Sequence, residues 1–239
     1  CSLVQLLHTT NKEILYKNYW YESGINLTMK DHLKSLVQLA VKIHKRINTG
    51  NIKVLDIGCN DGTLLNFYPK KYKKYGVDPS QIIDKIDQTK INIIRDFFPF
   101  QKRKNKQFKE KFDLITSIAM FYDLDDPNLF VEKIKFYLKD KGIWIFELSY
   151  LIDMLKLNSF DTICHEHLEY YSIYSLDYLM NKNGLKIFDV TRNKINGGSI
   201  RCFVTHKNYK FFDKKNLYIK LKKLKEYEKR IKIKTIKPY

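Results

Sequence analysis

The chain has 239 residues, of which 44% are hydrophobic and 14% aromatic, a composition that is typical of a folded globular protein and excludes a disordered one. The formal charge of +18 raises the question of nucleic-acid binding, but the lysines are spread along the whole chain and no aromatic recognition motif accompanies them. No apolar run approaches the roughly 18 residues that a membrane helix needs. We therefore expect no nucleic-acid partner and no membrane partner.

The cysteines and the first residues indicate the cellular compartment of the protein. Four scattered cysteines without a C-x-x-C pair are typical of reduced thiols and predict a cytoplasmic protein rather than a disulfide framework. The first residues contain no basic, apolar-cored secretory signal. The chain begins at Cys1 rather than Met, so we expect it to be part of a longer protein.

The first long predicted element is an amphipathic helix within residues 1–50, the first of three predicted regions. Thr28 is a suitable N-cap and Asp31 lies in the first turn. Apolar residues then follow at helical spacing up to a stop signal at residues 48–50. They are Leu33, Leu36, Val37, Ala40, Ile43 and Ile47.

Strands and helices alternate in the second region, residues 51–207. Strands are predicted at residues 53–57, 74–77, 91–97, 112–119 and 142–148, and helices at 63–68, part of 81–88, 128–138 and 151–158. Such alternation implies right-handed βαβ crossovers, and thus a mostly parallel α/β sheet with helices on both faces.

The end of the second region predicts a different strand pairing. A helix at residues 175–181 precedes strands at 185–190 and 199–205, which are joined by residues 193–198. A closing pair of this kind would suit an antiparallel edge on the sheet. The third region, residues 208–239, is predicted to be a lysine-rich amphipathic helix from about Asp213 onward.

The most informative motif is D-I-G-C-N-D-G at residues 56–62, directly after the first strand of the alternation. Ligands of parallel sheets lie beyond the carboxyl ends of the strands, and glycines there let the backbone approach a ligand closely. Gly58 and Gly62 are four apart, so the motif is not the dinucleotide G-x-G-x-x-G. An ordinary βα turn remains the alternative, because Asp and Gly are common in turns.

The spacing resembles the acidic-x-G-x-(G/N)-x-G turn of S-adenosylmethionine-dependent methyltransferases. The resemblance implies their Rossmann-like sheet and S-adenosylmethionine as the cofactor. Asp78 ends the next strand, where a carboxylate can accept hydrogen bonds from a ribose. The predicted cofactor-binding residues are Asp56, Gly58, Cys59, Asn60, Gly62, Asp78, Asp96 and Phe97.

A second dense group of ionisable residues lies at residues 161–172 and includes His165, Glu166 and His167. Histidine titrates near neutrality and can remove a proton at physiological pH. Two alternatives stay open at this point. Cys164, His165 and His167 have the spacing to share a zinc ion, although no fourth ligand is evident, or the segment is an aromatic loop packed under the sheet edge.

Several segments together resemble the sugar C-methyltransferases, which methylate a carbon of a nucleotide-linked ketosugar. The resembling segments are residues 19–24, Thr28-Met29 with His32, 56–62, 77–80, 121–126, 146–150, 163–172 and 196–201. The pieces H-E-H-L-x-Y-Y-S and N-G-G-S-x-R are more specific than the turn, which is generic to methyltransferases.

The resemblance implies a role for each matching residue. His167 corresponds to the general base, Glu166 to its companion, and Tyr19 and Tyr21 to tyrosines that close over the substrate. The implied substrate-binding residues are His165, Asn196, Gly197, Gly198 and Arg201. A plain hairpin turn is the alternative for the two glycines.

Departures from the family leave some roles open. Cys164 stands where many members have tyrosine, and Asp123 stands where a histidine often ends the fourth strand. Cys1 resembles the last ligand of an N-terminal four-cysteine zinc module, and one thiolate cannot hold structural zinc. We therefore expect zinc only in a longer parent protein, and a chain that is cut at both ends or naturally reduced.

The expected activity is base-assisted C-methylation of a nucleotide-linked ketosugar. An O- or N-methyltransferase acting on another small molecule would share the cofactor site without deprotonating carbon. An RNA methyltransferase that uses the basic surface and a non-catalytic binding module are the further alternatives.

Overall fold

The computed structural model of the protein describes residues 2–16, 19–45, 50–100, 110–210 and 218–239. The strands are β1 (Val4–Gln5), β2 (Lys53–Ile57), β3 (Lys73–Asp78), β4 (Asn92–Arg95), β5 (Phe112–Ile118), β6 (Leu138–Ser149), β7 (Glu169–Tyr170), β8 (Leu185–Asn193) and β9 (Ser199–His206). The helices are α1 (Lys12–Tyr16), α2 (Leu27–Lys45), α3 (Thr63–Phe67), α4 (Pro127–Tyr137), α5 (Leu151–Leu157), α6 (Ile173–Lys182) and α7 (Ile219–Arg230). Short 3-10 turns cover Gln81–Lys85, Phe121–Asp123, Phe160–Thr162 and Ile195–Gly197.

The described strands form a seven-stranded sheet in the order β4-β3-β2-β5-β6-β9-β8, and β1 pairs separately with β7. Strand β2 is parallel to β3 and to β5, and β3 is parallel to β4. Strand β8 lies at the sheet edge and is antiparallel to β9. The predicted α/β class, with a mostly parallel Rossmann-like sheet and an antiparallel edge, is confirmed.

The chain divides into two compact units, which we name by the motif that each contains. The turn unit comprises residues 11–117 and 136–144, and the histidine unit comprises residues 1–10, 118–135 and 145–239. In the turn unit, helix α2 buries the predicted apolar stripe at Leu33, Leu36, Val37 and Ala40. The predicted stop of this helix, at residues 48–50, lies mostly outside the described residues.

The histidine unit includes the lysine-rich helix α7. Its Leu221 side chain is buried, and Glu228 is only 1% exposed. The Glu228 carboxylate accepts hydrogen bonds from the Tyr150 hydroxyl at 2.7 Å and from the Ile173 and Tyr174 amides at 2.7 and 2.8 Å. Because these amides begin helix α6, Glu228 satisfies backbone donors that the helix itself leaves unpaired.

Several element boundaries differ from the prediction. Helix α2 begins at Leu27, so Thr28 lies inside the helix and is not its N-cap. The strand predicted at 91–97 is only Asn92–Arg95, so Asp96 and Phe97 lie just beyond it. Strand β6 begins at Leu138 rather than at residue 142. The Lys139 ammonium pairs with the buried Asp113 carboxylate at 2.7 Å, a long-range contact that local residue preferences do not encode.

The predicted segment from Asp213 falls partly at residues 211–217, outside the described residues, and helix α7 is described from Ile219. The three predicted regions, 1–50, 51–207 and 208–239, stay predictions. In the ranges that the structure describes, no helix combines the length and apolar character that crossing a membrane requires.

Candidate functional site

The turn at residues 56–62 has a backbone that dictates its residue types. Gly58, Asn60 and Gly62 all adopt left-handed conformations, with φ of 72°, 51° and 75°. Glycine tolerates this region without a steric penalty, and asparagine visits it more readily than most residues. The amides of Gly58 and Cys59 both donate to the Val77 carbonyl, at 2.8 and 3.1 Å, so the turn is tied to the end of strand β3.

Asp78 ends strand β3 beside this turn and is 8% exposed. One carboxylate oxygen accepts from the Asn60 amide at 2.9 Å. The other accepts from the Ser80 amide at 2.9 Å and from the Ser80 hydroxyl at 2.5 Å. An ionised carboxylate can accept about four hydrogen bonds, so one position is left for a ligand hydroxyl. The predicted ribose contact of Asp78 fits this geometry and stays a prediction.

Asp56 is more deeply buried than Asp78, at 3% exposure, and accepts a hydrogen bond from the Thr116 hydroxyl at 2.6 Å. Burial raises the pKa of Asp56 to about 8, the Thr116 hydrogen bond opposes the rise, and the Asp78 charge adds to it. Asp96 and Phe97 are partly buried beyond strand β4, where the Asp96 carboxylate accepts from the Phe97 amide at 2.9 Å.

Residues 19–24, which we call the tyrosine segment, contact the turn through polar groups. The Asn60 side chain accepts from the Ser23 amide at 2.9 Å and donates to the Tyr21 carbonyl at 2.7 Å. The Asp61 carboxylate accepts from the Gly24 amide at 2.7 Å. Burial and the Asp61 charge raise the pKa of the Tyr21 hydroxyl, which therefore stays a hydrogen-bond donor at physiological pH.

His167 lies in the histidine unit, in the loop before strand β7. Its Nδ1 is 2.8 Å from the Thr162 carbonyl oxygen, which can only accept, so Nδ1 carries the hydrogen. In the neutral ring the lone pair then lies on Nε2. The Tyr122 ring contacts the imidazole edge-on with ring centroids 4.3 Å apart, and the Leu168 amide donates to the Tyr122 carbonyl at 2.8 Å. The position and tautomer of His167 are therefore set by two other parts of this unit.

The neighbours of His167 are arranged differently. His165 is exposed and Glu166 is partly buried. Within the described ranges, no hydrogen bond joins Glu166 to His167, so the predicted companion role has no direct contact to support it. Among the same residues no three His, Cys, Asp or Glu side chains are placed to hold a metal ion, which argues against a shared zinc at Cys164, His165 and His167. Cys1, the predicted zinc remnant, lies outside the described residues.

The Asn196, Gly197 and Gly198 backbone is left-handed throughout, and it forms the hairpin connection between the antiparallel strands β8 and β9. A Cβ at Gly198 would lie 2.6 Å from the Asp153 Cβ, so only glycine allows this close approach to helix α5. The hairpin alternative is therefore correct for the backbone, while its predicted approach to a substrate stays a prediction.

Arg201 has a protein partner. Its Nε donates to the Glu147 carboxylate at 2.7 Å between strands β9 and β6, and both side chains are buried. The arginine thus neutralises a buried acid, and its predicted contact with a phosphate or sugar stays a prediction.

Three residues that carry the geometry were missed by the sequence analysis: Asp61, Tyr122 and Glu228. Asp61 had a usable signal, because an aspartate two residues before a helix often accepts from the first-turn amides, and its carboxylate accepts from the Thr63 amide at 3.0 Å. Tyr122 acts through a residue 45 positions away and Glu228 through residues 54 or more positions away, and no local pattern marks such contacts.

Comparisons with known proteins agree with this architecture. A family model described as a methyltransferase domain matches residues 27–190. The C-methyltransferase NovU of Streptomyces niveus is 28% identical over 207 residues, which cover 85% of this chain and 49% of that protein. The chain therefore spans about half the length of this curated relative.

Solved structures resemble the fold at low sequence identity. A S-adenosylmethionine-dependent methyltransferase from Clostridium acetobutylicum ATCC 824 has a TM-score of 0.58 at 13% identity, covering 74% of this chain and 92% of its own. The plantazolicin methyltransferase BamL, in complex with a triazolic desmethylPZN analog and SAH, has a TM-score of 0.60 at 14% identity, covering 76% and 87%.

Proposed function

The chain belongs to the methyltransferase-domain family, and on that premise we propose that it methylates a carbon of a nucleotide-linked ketosugar. Its methyl donor is S-adenosylmethionine, the ligand implied by the family and related to the SAH bound in structures of the same fold. The C-methyltransferase NovU supports carbon as the acceptor atom. We further propose that the protein acts in the cytoplasm, consistent with the free thiols of Cys59, Cys164 and Cys202.

The observation that carries the proposal is the hydrogen bond of His167 Nδ1 to a main-chain carbonyl. A C–H bond beside a ketone is weakly acidic, so C-methylation needs a positioned base, whereas many oxygen and nitrogen acceptors do not. A histidine whose Nδ1–H is occupied presents Nε2 as the proton acceptor without having to change tautomer. His167 is therefore the base in the proposed reaction.

The residues of the turn unit fit the cofactor. The left-handed backbone at Gly58, Asn60 and Gly62 lets the turn pass close to a ligand, and Asp78 has one acceptor position for a ribose hydroxyl. We assign the remaining contacts to Asp56, Cys59, Asp96 and Phe97.

In the proposed mechanism, His167 Nε2 removes the proton from the carbon next to the ketone. The enolate charge that develops needs a donor, and Tyr21 or Tyr19 supplies its hydroxyl hydrogen. The bound cofactor supplies an electrophilic methyl carbon. His165, Arg201 and the turn at residues 196–198 orient the nucleotide-linked sugar, and orientation is the main further requirement of methyl transfer.

The decisive experiment is solvent exchange without the methyl donor. Incubated in deuterated water with nucleotide-linked ketosugars, the longest natural form of the protein should exchange the substrate's α-proton. His167→Ala should abolish exchange, a loss of at least about 10²-fold, with cofactor affinity nearly unchanged. His8→Ala, a substitution of an exposed histidine, is the matched control and should exchange normally.

Two results would overturn the assignment. If His167→Ala exchanges and methylates at the wild-type rate, the histidine is structural. If the wild type never exchanges but methylates an oxygen or a nitrogen, the protein is an O- or N-methyltransferase instead.

A further inference from the structure

Three hydrogen bonds join the tyrosine segment to the turn. None of residues 19–28 is buried, and the Trp20 side chain is 83% exposed. The Glu22 carboxylate pairs with the Lys85 ammonium at 2.5 Å, but this pair is largely exposed and contributes little. A segment with few buried apolar contacts opens at low free-energy cost. The position of the tyrosine segment therefore depends on its hydrogen bonds with the turn.

Asn60 makes two of these hydrogen bonds, and its backbone also contacts Asp78, the acid that is predicted to bind the ribose. Its amide donates to the Asp78 carboxylate at 2.9 Å. Its side chain accepts from the Ser23 amide and donates to the Tyr21 carbonyl, at 2.9 and 2.7 Å. The planar carboxamide makes both bonds at once only in one orientation, with its oxygen toward the Ser23 amide and its nitrogen toward the Tyr21 carbonyl. A glycine satisfies this backbone equally well, so the side chain accounts for the choice of asparagine here.

The neighbouring residue adds a third bond. Asp61 accepts from the Gly24 amide at 2.7 Å. A Cβ at Gly24 would lie 2.6 Å from this carboxylate oxygen and 2.7 Å from the Thr63 hydroxyl, so the close contact requires glycine. Asn60 and Asp61 thus both contact the backbone of the tyrosine segment, Asn60 at Tyr21 and Ser23 and Asp61 at Gly24.

We propose that Asn60 is a positioning residue that couples cofactor binding at the turn to the docking of the tyrosine segment. A ligand that contacts Asp78 and the turn stabilises the backbone conformation in which the Asn60 carboxamide meets Ser23 and Tyr21. The donor thereby places Tyr19 and Tyr21 before the acceptor substrate binds. The roles of the tyrosines rest on the proposed function, but the coupling requires only the cofactor.

Coupling of this kind is reciprocal. If the cofactor favours the docked segment, the docked segment raises cofactor affinity by the same factor, and such factors typically lie at about 5–150-fold. The amides of Ser23 and Gly24 donate the bonds in question, so their hydrogen exchange reports docking directly.

The test compares amide exchange by NMR with and without saturating S-adenosylhomocysteine. In the wild type, the ligand should slow exchange at Ser23 and Gly24 by about tenfold or more. Asn60→Gly keeps the left-handed backbone and removes only the side-chain bonds. In this variant the slowing should fall below about threefold, while residues 58–62 stay protected by the ligand. Asp61→Ala removes the third bond independently and should reduce the slowing at Gly24.

Asn158→Gly is the matched control, because Asn158 has the same left-handed backbone, with φ of 52°, outside the turn unit. It should keep the wild-type slowing. Full slowing in Asn60→Gly would overturn the proposal, as would a wild type whose turn is protected but whose Ser23 and Gly24 are not. If the ligand protects neither the turn nor Ser23 and Gly24, both the coupling proposal and the assignment of the turn as a cofactor site are wrong. If the exchange results are as expected but the protein methylates an oxygen, the coupling proposal stands and the proposed C-methylation is wrong.

Discussion

The turn at residues 56–62 and the loop around His167 are held in place in different ways. The turn is fixed by its own left-handed residues and by the end of the next strand, through the Val77 carbonyl and Asp78. The loop around His167 depends on the Tyr122 ring, and the chain that follows it depends on Glu228 of helix α7. The turn is thus a local structure, whereas the region of the proposed base is assembled from distant parts of the chain.

The two regions are therefore sensitive to substitutions at different places in the chain. A local turn survives most distant substitutions, because its hydrogen bonds form between residues that are close in sequence or on neighbouring strands. A region assembled from distant contacts can be lost through a residue that touches no ligand.

The largest effect is expected from Glu228→Ala. Three buried donors, the Tyr150 hydroxyl and the amides of Ile173 and Tyr174, would lose their acceptor. The free energy of unfolding should fall by about 3–5 kcal/mol, as measured by urea denaturation. Glu226→Ala, an exposed position on the same helix with Lys222 at 3.9 Å, should change it by less than about 0.5 kcal/mol. Equal effects of the two substitutions would remove the contrast between the regions.

A smaller effect is expected from Asp78→Ala, which acts on binding rather than on the histidine unit. Loss of a charged acceptor for the ribose should weaken S-adenosylmethionine binding by about 1.5–3 kcal/mol, roughly 10- to 150-fold. Calorimetry measures the affinity, and circular dichroism verifies the fold. Asp84→Ala, at an exposed acid that pairs with Arg95, is the control. Unchanged affinity in a folded Asp78 variant would exclude this residue from the cofactor site.

Each region also contains one buried acid whose titration can be followed. Burial raises the pKa of Asp56 to about 8, as described above, and burial followed by the Asp125 charge raises the pKa of Glu169 to about 8. A folded-state pKa above the unfolded value means that the folded state binds more protons, so stability falls as pH rises from about 4 to about 8.

Asp56→Asn and Glu169→Gln separate the two contributions. Each should flatten the pH dependence of the free energy of unfolding within that window, by up to about 1.4 kcal/mol per pH unit for one proton. Urea denaturation at about pH 5 and about pH 8 measures the slope. Variants that retain the full wild-type slope would show that neither acid is neutral in the folded protein.

The smallest effect is expected for nucleic acids. The +18 charge is dispersed, so binding of random RNA or duplex DNA should be no tighter than the non-specific range of about 10⁻⁴–10⁻⁶ M at physiological salt. Fluorescence anisotropy across salt concentrations measures it. Sub-micromolar binding would instead favour an RNA methyltransferase. The lysine-rich surface would then be a third functional region beside the turn and the loop around His167.

The sequence predicted the sheet well because alternating strands and helices have a strong local signature. Strand β2 is predicted at its observed bounds, Lys53–Ile57, and strands β8 and β9 are predicted from their first residues, Leu185 and Ser199. The left-handed backbone at Gly58 and Gly62 is likewise predictable from the sequence, because glycine is the residue that most often occupies such positions.

The side-chain partners could not be predicted in the same way. Arg201 pairs with Glu147, which lies 54 residues earlier in the sequence, and the sequence predicts only its substrate contact, which stays a prediction. The role of Asn60 in contacting the tyrosine segment depends on residues 37 and 39 positions away. Such pairings follow from the folded backbone, and neither hydrophobic period nor residue preference specifies them.

The acceptor that orients His167 is the main-chain oxygen of Thr162. Every residue type carries that oxygen, so an amino-acid exchange at position 162 leaves it in the chain, whereas a change in the number of residues between 162 and 167 displaces it. Natural variation should therefore be tolerant of identity at this position and intolerant of insertions and deletions in the short stretch that follows. The length of the loop between residues 162 and 167 therefore determines which imidazole nitrogen of His167 carries the hydrogen.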